Sequence, residues 1–267
     1  MNGHLEVVQC LLNARAEHSP DNDGCSPLFV AAKANQRPVV EFLLKNGATH
    51  EPNKDGLSPL SISCQEGHMD AARVLLEDAT AVAEVMRPGN LPLYLACHCG
   101  HADIVSMLLG FGAVCESANG YNALNAAIEN GSREIRDTLL GRDDVCLDGP
   151  DSEGNSPFHA ACRAGQMDTV LVLLDRGANQ YPNDMNSTPL AEACSGGYSE
   201  LVYLLLVNGA SASPDQDKEG NTPLLIAARE GYALCVELLT RYGASDLWTD
   251  GVRRMLVGFL HLERKEG

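Results

Sequence analysis

Residues 97–101 read Cys-His-Cys-Gly-His, two thiols and two imidazoles within five positions. Those are donors that zinc prefers, but a tetrahedral site needs four that converge, usually as two pairs separated by a loop. On one helix Cys97 and His101 stand four residues apart on a shared face, while His98 and Cys99 point elsewhere. Two acidic turns, PDSEGNS (150–156) and PDQDKEG (214–220), imitate the opening of a calcium-binding EF-hand loop. Counted from Asp215, however, the twelfth position is Ile226 and not a bidentate glutamate. The chain holds no G-x-S-x-G nucleophile elbow, no G-x-x-x-x-G-K-[ST] phosphate loop and no H-E-x-x-H. The sequence therefore predicts no catalytic residue, no metal site and no cofactor, and a protein that is not an enzyme. Recognition is the chemistry left to it.

Composition narrows the kind of recognition. With 267 residues, 45% of them hydrophobic, the chain can bury a core. Aromatics make up only 5%, so that core is aliphatic and small, which favours close-packed helices over an aromatic-rich sheet. The net charge of -17 offers no basic excess to replace phosphate counterions or to meet anionic lipid. Neither nucleic acid nor a membrane is the expected partner. Ten cysteines are too sparse for a disulfide scaffold and fall inside apolar helical patterns. They read as reduced, core-filling thiols of a cytoplasmic or nuclear protein. No basic segment with a long apolar stretch opens the chain, and the longest apolar run, 201–207, is too short to span a bilayer. Asn2 excludes N-myristoylation of the sequence as it stands.

The elements that position these residues come from a repeat. DGCSPLFVAA (23–32), DGLSPLSISC (55–64), PGNLPLYLAC (88–97), NGYNALNAAI (119–128), EGNSPFHAAC (153–162), MNSTPLAEAC (185–194) and EGNTPLLIAA (219–228) are one phrase. Its proline position falls at Pro27, Pro59, Pro92, Ala123, Pro157, Pro189 and Pro223, in steps of 31 to 34 residues. Gly at the second place of the phrase in six of the seven copies permits a tight turn, Ser or Thr before Pro caps a helix, and the small pair at the end lets helices approach closely. A Gly then breaks that helix, and a second follows with apolar residues at i, i+3 and i+4, such as Val40, Leu43 and Leu44. Most second helices end in Gly-Ala.

A period near 33 with this phrasing resembles the ankyrin-repeat family along nearly the whole chain. The resemblance implies an all-α fold, a solenoid of helix-turn-helix units joined by β-hairpin-like turns. It divides the chain into a half repeat at 1–20, seven repeats at about 21–52, 53–85, 86–116, 117–150, 151–182, 183–216 and 217–249, and a C-terminal capping helix at 250–267. Val252, Met255, Leu256, Phe259 and Leu260 keep apolar spacing in that cap, and Trp248 is expected to pack beneath it. His159 stands where the family phrase has its histidine, which implies a structural hydrogen-bonder at a helix start.

Departures from the phrase carry their own expectations. Leu91 replaces a capping hydroxyl and Ala123 replaces Pro, so those two helices are expected to start less sharply. Segments 75–85 and 139–149 lose Gly-Ala, so the second helix runs on or the loop is irregular there. GHLEVVQCLL at the front matches GHADIVSMLL (100–109), a second helix without its first. Leaving Val7, Val8, Leu11 or Leu12 exposed forgoes roughly 1.5–3 kcal/mol each. The sequence reads as a piece of a longer repeat array.

The resemblance also implies where a partner binds: in the groove lined by hairpin tips and first helices, through the variable positions. These include Leu57, Gln65, Arg87, Asn90, His98, Tyr121 and Glu129, and further along Asn155, Arg163, Asn221 and Arg229. Leu57, Tyr121 and His98 offer anchors flanked by Arg87 and Arg163, the residue types that dominate interface energetics. Ser187, Ser195 and Gly196 leave their phrase smooth and outside the contact zone. Acidic tips at Asp143, Asp144, Asp148, Asp151 and Glu153 favour a partner with a basic segment. The expectation is a monomeric, non-enzymatic protein-interaction module or scaffold. The alternatives are a targeting or regulatory segment of a larger enzyme, and a structural spacer.

Overall fold

The computed structural model describes residues 5–14, 19–116, 118–213 and 215–244. The expected cap at 250–267 and Trp248 lie outside the described residues. The chain forms two compact units, one ending at Cys146 and the other starting at Leu147. The first carries α1 (Leu5–Asn13), α2 (Pro27–Lys33), α3 (Arg37–Lys45), α4 (Pro59–Gln65), α5 (Met69–Leu75), α6 (Ala79–Val85), α7 (Leu91–Cys99), α8 (Ala102–Gly110), α9 (Ala123–Asn130) and α10 (Arg133–Leu140). The second carries α11 (Pro157–Arg163), α12 (Met167–Asp175), α13 (Pro189–Ser195), α14 (Ser199–Val207), α15 (Pro223–Glu230) and α16 (Ala233–Arg241). First helices stack on one another, α2 on α4 on α7 on α9 in one unit and α11 on α13 on α15 in the other. Each packs against the second helix that follows it.

Capping chemistry sets where the first helices begin. Ser58 Oγ accepts the Ser61 N–H at 3.0 Å, and Thr188 and Thr222 accept from Ala191 and Leu225 at 3.2 Å. The two helices expected to start less sharply are capped as well. Asn90 Oδ1 accepts Leu93 N–H at 2.8 Å, so α7 starts one residue earlier in its phrase and Pro92 moves into the second helical position. Asn122 Oδ1 accepts both Leu124 and Asn125 N–H, at 2.9 and 3.1 Å. A short side-chain acceptor on extended backbone is what the orphan donors need, and asparagine supplies it as well as a hydroxyl.

Packing accounts for the rest of the phrase. Leu28, Leu60, Leu93, Leu124, Phe158, Leu190 and Leu224, which follow the proline position, are all buried, and so are Cys64, Cys97, Cys162 and Cys194 of the small pairs. Burial pushes these thiols well above their ordinary pKa, so they behave as small apolar groups. Between successive pairs, His68 Nε2 lies 3.0 Å from Lys33 O and His101 Nε2 3.0 Å from Gln65 O. In the second unit tyrosine rings take this place. Tyr198 and Tyr232 lie against Gly165 and Gly197, whose positive φ and lack of Cβ leave room for a ring.

Segment 75–85 resolves differently from either expectation: α5 ends, and a third helix, α6, begins. Asp78 caps it, accepting Thr80 N–H at 2.7 Å. From α6, Glu84 reaches back to accept Ser58 and Ser61 hydroxyls at 2.8 and 3.0 Å. Burial raises the Glu84 carboxyl despite those bonds. After α10 the chain turns through Arg142, whose guanidinium forks onto both oxygens of Asp144 at 2.7 Å.

Candidate functional site

The hairpin turns ahead of the first helices are held by a feature the sequence reading missed. In five of them an Asp or Asn three residues before the turn glycine accepts two backbone N–H groups across the turn. Asp151 takes Glu153 and Asn155 at 2.8 Å each, and Asp217 takes Glu219 at 2.9 Å and Asn221 at 2.7 Å. Asp21, Asn53 and Asn183 do the same, with Asn186 (φ 61°) standing in for glycine after Asn183. The signal was the recurring D/N-x-x-G/N spacing. These Asp and Asn side chains shape turns.

In the first unit the hairpin-and-first-helix face carries an aromatic trio. Tyr94 and His98, one turn apart on α7, stack at 5.8 Å with 12° between planes. Tyr121, from the next hairpin, tilts onto Tyr94 at 5.1 Å. The sequence selected His98 and Tyr121 but missed Tyr94, which joins them. Leu57 and Gln65 are half-buried, while Arg87 and Glu129 are exposed. Asn90 is turned inward: besides capping α7, its Nδ2 donates to Val114 O at 2.9 Å.

The second unit gathers charge instead. Asn155, Arg163, Asn221 and Arg229 line one depression of about 390 Å³. Glu153, Glu192 and Glu219, none of them singled out as variable groove positions, share it. Ser187 and Ser195 line it too, where the sequence had placed them outside the contact zone. Arg163 Nε sits 3.3 Å from Glu192 Oε2, and Ser187 Oγ donates to the other oxygen at 3.1 Å. Arg229 Nη1 reaches Asn221 Oδ1 at 3.4 Å, and its Nε pairs with Glu230 at 3.1 Å. Asn155 is buried, its amide on Asp151 at 3.2 Å and its oxygen taking Asn183 Nδ2 at 2.7 Å. Asn90 and Asn155 thus hold the scaffold, and Arg163, Arg229 and Asn221 face the opening.

His159, beneath this depression, is a helix-start hydrogen-bonder. Its Nδ1 accepts the Ser156 N–H at 3.2 Å and lies 2.9 Å from Ser156 Oγ, while Nε2 lies 3.1 Å from Ser187 O. That assigns a neutral ring protonated on Nε2, and burial lowers its pKa. The metal-like cluster disperses. Cys97 is buried between helices, His101 turns to Gln65 O, His98 lies on Tyr94 and Cys99 is exposed.

Helix pairs capped by Ser/Thr-Pro thus recur along the described residues, joined by asparagine- or aspartate-locked hairpins. The family model described as Ankyrin repeats (3 copies) matches residues 1–54, 48–117, 82–149, 111–184 and 180–249. The chain belongs to the ankyrin-repeat family. Among solved structures it is similar to the human ASB11 ankyrin repeat domain, at 28% identity and a TM-score of 0.64. That match covers 83% of this chain and 100% of the other. Ankyrin repeats are generally non-enzymatic protein-interaction modules. No helix among the described residues is long and apolar enough to cross a membrane.

Proposed function

We propose that this ankyrin-repeat chain binds a partner protein through the hairpin-and-first-helix face of its second unit. The carrying observation is the depression around Arg163, Glu192, Asn221 and Arg229, to which three successive repeats contribute. Partner side chains of both signs find complements there. Arg163 and Arg229 are half-engaged guanidiniums on exposed stems, and Glu153 and Glu219 stand at the rim. The partner segment is extended and carries Lys or Arg toward those two glutamates. Of the other acidic tips, Asp144 is tied to Arg142, Asp148 accepts Asn179 N and Nδ2 at 2.8 Å each, and Asp151 holds its turn. Asp143 belongs to the first unit, so steering at this face falls to the rim.

Affinity capture with the chain and with an Arg163→Ala/Glu219→Lys variant, matched by circular dichroism, tests this. A protein retained by the first and lost by the second supports the reading, and its retention falls as salt is raised. The same proteins on both baits would sink it.

A further inference from the structure

The second helices of the second unit hold an open apolar groove between α14 and α16. It has a volume of about 300 Å³ and is lined by Ser199, Glu200, Tyr203, Leu234, Glu237 and Leu238. Leu234 is 63% exposed, and Tyr203 and Tyr242, exposed as well, meet edge-on at 6.3 Å. Leu234, Leu238 and Tyr242 follow at four-residue spacing, so they form one stripe along α16 and its C-cap. The repeat itself does not call for this stripe. Six other second helices carry an acid at the place of Leu234, namely Glu6, Asp70, Asp103, Glu134, Asp168 and Glu200. Such an acid complements a helix N-terminus, and α16 has none in its first turn. The matching groove of the first unit, between α5 and α8, has Arg73 where α14 has Tyr203 and Asp103 where α16 has Leu234. A leucine thus meets solvent where its counterparts are carboxylates.

We propose that this groove docks an amphipathic helix of a partner protein, with a stripe of Leu, Ile or Phe flanked by Lys or Arg. Two helices side by side leave a groove that the side-chain ridge of a third helix fills. They offer no free backbone edge, so an extended segment would leave its own N–H and C=O groups unpaired against apolar walls. Each wall is a helix of nine residues, about 13 Å, which matches two to three turns of an incoming helix. Charge then selects among helices. Glu200 and Glu237 line the groove beside Tyr203 and Leu234, and neither carboxylate has an ion pair among the described residues. A partner's Lys or Arg reaches them while its apolar stripe covers Leu234 and Leu238. A second copy of this chain fits less well. A two-fold contact would set the same carboxylates against each other on chains of net charge -17. The groove shares no residue with the depression around Arg163, so it is independent of that site.

The experiment places the photo-cross-linker p-benzoylphenylalanine in the full chain in place of Tyr242 and irradiates it in cell lysate. The cross-linked segment is sequenced by mass spectrometry, made as a peptide and titrated against the chain. The expected segment comes from another protein, repeats apolar residues at helical spacing and carries flanking Lys or Arg. Its peptide gains helicity on binding and loses affinity as salt is raised. Leu234→Asp, the residue type that other second helices carry there, is expected to weaken the peptide about tenfold or more with unchanged circular dichroism. Glu200→Lys with Glu237→Lys, at two exposed positions, is expected to weaken it as well, and Arg163→Ala to leave it unaltered. Several outcomes overturn the proposal: no cross-link, a cross-link to residues 250–267 or to a second copy, or a segment without that stripe and charge. A peptide indifferent to Leu234→Asp and to the two lysines does so too.

Discussion

The two units of this chain are written in the same phrase but present different chemistry on their hairpin-and-first-helix faces. Six residues after the proline position the first unit has Lys33, Gln65, His98 and Glu129, and the second has Arg163, Ser195 and Arg229. One position beside the core holds Tyr94 in the first unit, and its neighbour in the phrase holds Glu192 in the second. The first face is thus led by stacked rings and the second by an ion-paired network. Second helices diverge in parallel. Leu171 and Tyr203 are exposed where Arg73, Ser106 and Asp137 stand in the first unit. The lesson is a division of labour within each repeat. Caps and small pairs are fixed by packing, and the residues beside them are free to set the chemistry of each face.

Four predictions, tested with six substitutions, break or sharpen that contrast. The largest effect belongs to the shared core: Phe158→Ala, at a site with no exposure, is expected to cost about 3–5 kcal/mol in urea denaturation. Leu93→Ala should cost about 2–5 kcal/mol at the matching site of the first unit. A Phe158 effect below that of Leu93 would show that the ring is not what anchors α11. Next come the caps. Asn122→Ala removes two hydrogen bonds from buried amides, and about 1–2 kcal/mol should be lost, at least as much as for Thr222→Ala with its one.

The third concerns pH. Burial holds the His159 imidazole below its ordinary pKa of 6.5, so the unfolded chain takes up protons there before the folded one does. Its contribution is complete above about pH 6.5 and is lost as pH falls through the folded value. His159→Gln should therefore flatten the decline in stability between pH 6.5 and 5. His50, in the first unit, is lowered by burial in the same direction, so the variant removes only the second unit's share. An unchanged slope would mean that His159 does not titrate with unfolding. The smallest effect is expected for Arg163→Ala. The Arg163 end of its pair with half-buried Glu192 is exposed, and such a surface pair contributes about 0–1 kcal/mol, so this variant should lose partner binding while its urea midpoint barely moves.

Much of this was legible because an ankyrin repeat encodes its elements locally. Ser-Pro and Thr-Pro, the small pairs and the turn glycines each act within a few residues of themselves, and spacing reveals them. What escaped depended on distance. Glu84 meets Ser58 from 26 residues away, so α6 could not be inferred from the loss of Gly-Ala alone. Tyr94 and Glu192 lie beside buried positions, and only the neighbouring hairpin or helix decides whether they meet Tyr121 or Arg163. Asn90 was assigned to the groove because its position is variable, but the absence of a hydroxyl at Leu91 made it the cap.

The cysteines of the small pairs have a use that their inertness creates. Cys64 and Cys97 in the first unit, and Cys162 and Cys194 in the second, are sealed in helix interfaces and carry no reactive thiolate while those interfaces are shut. A pulse of thiol reagent can mark each one only at the moment its repeat parts. Read by peptide mass, the four labels act as clocks that time the opening of individual repeats without a probe being added to the chain.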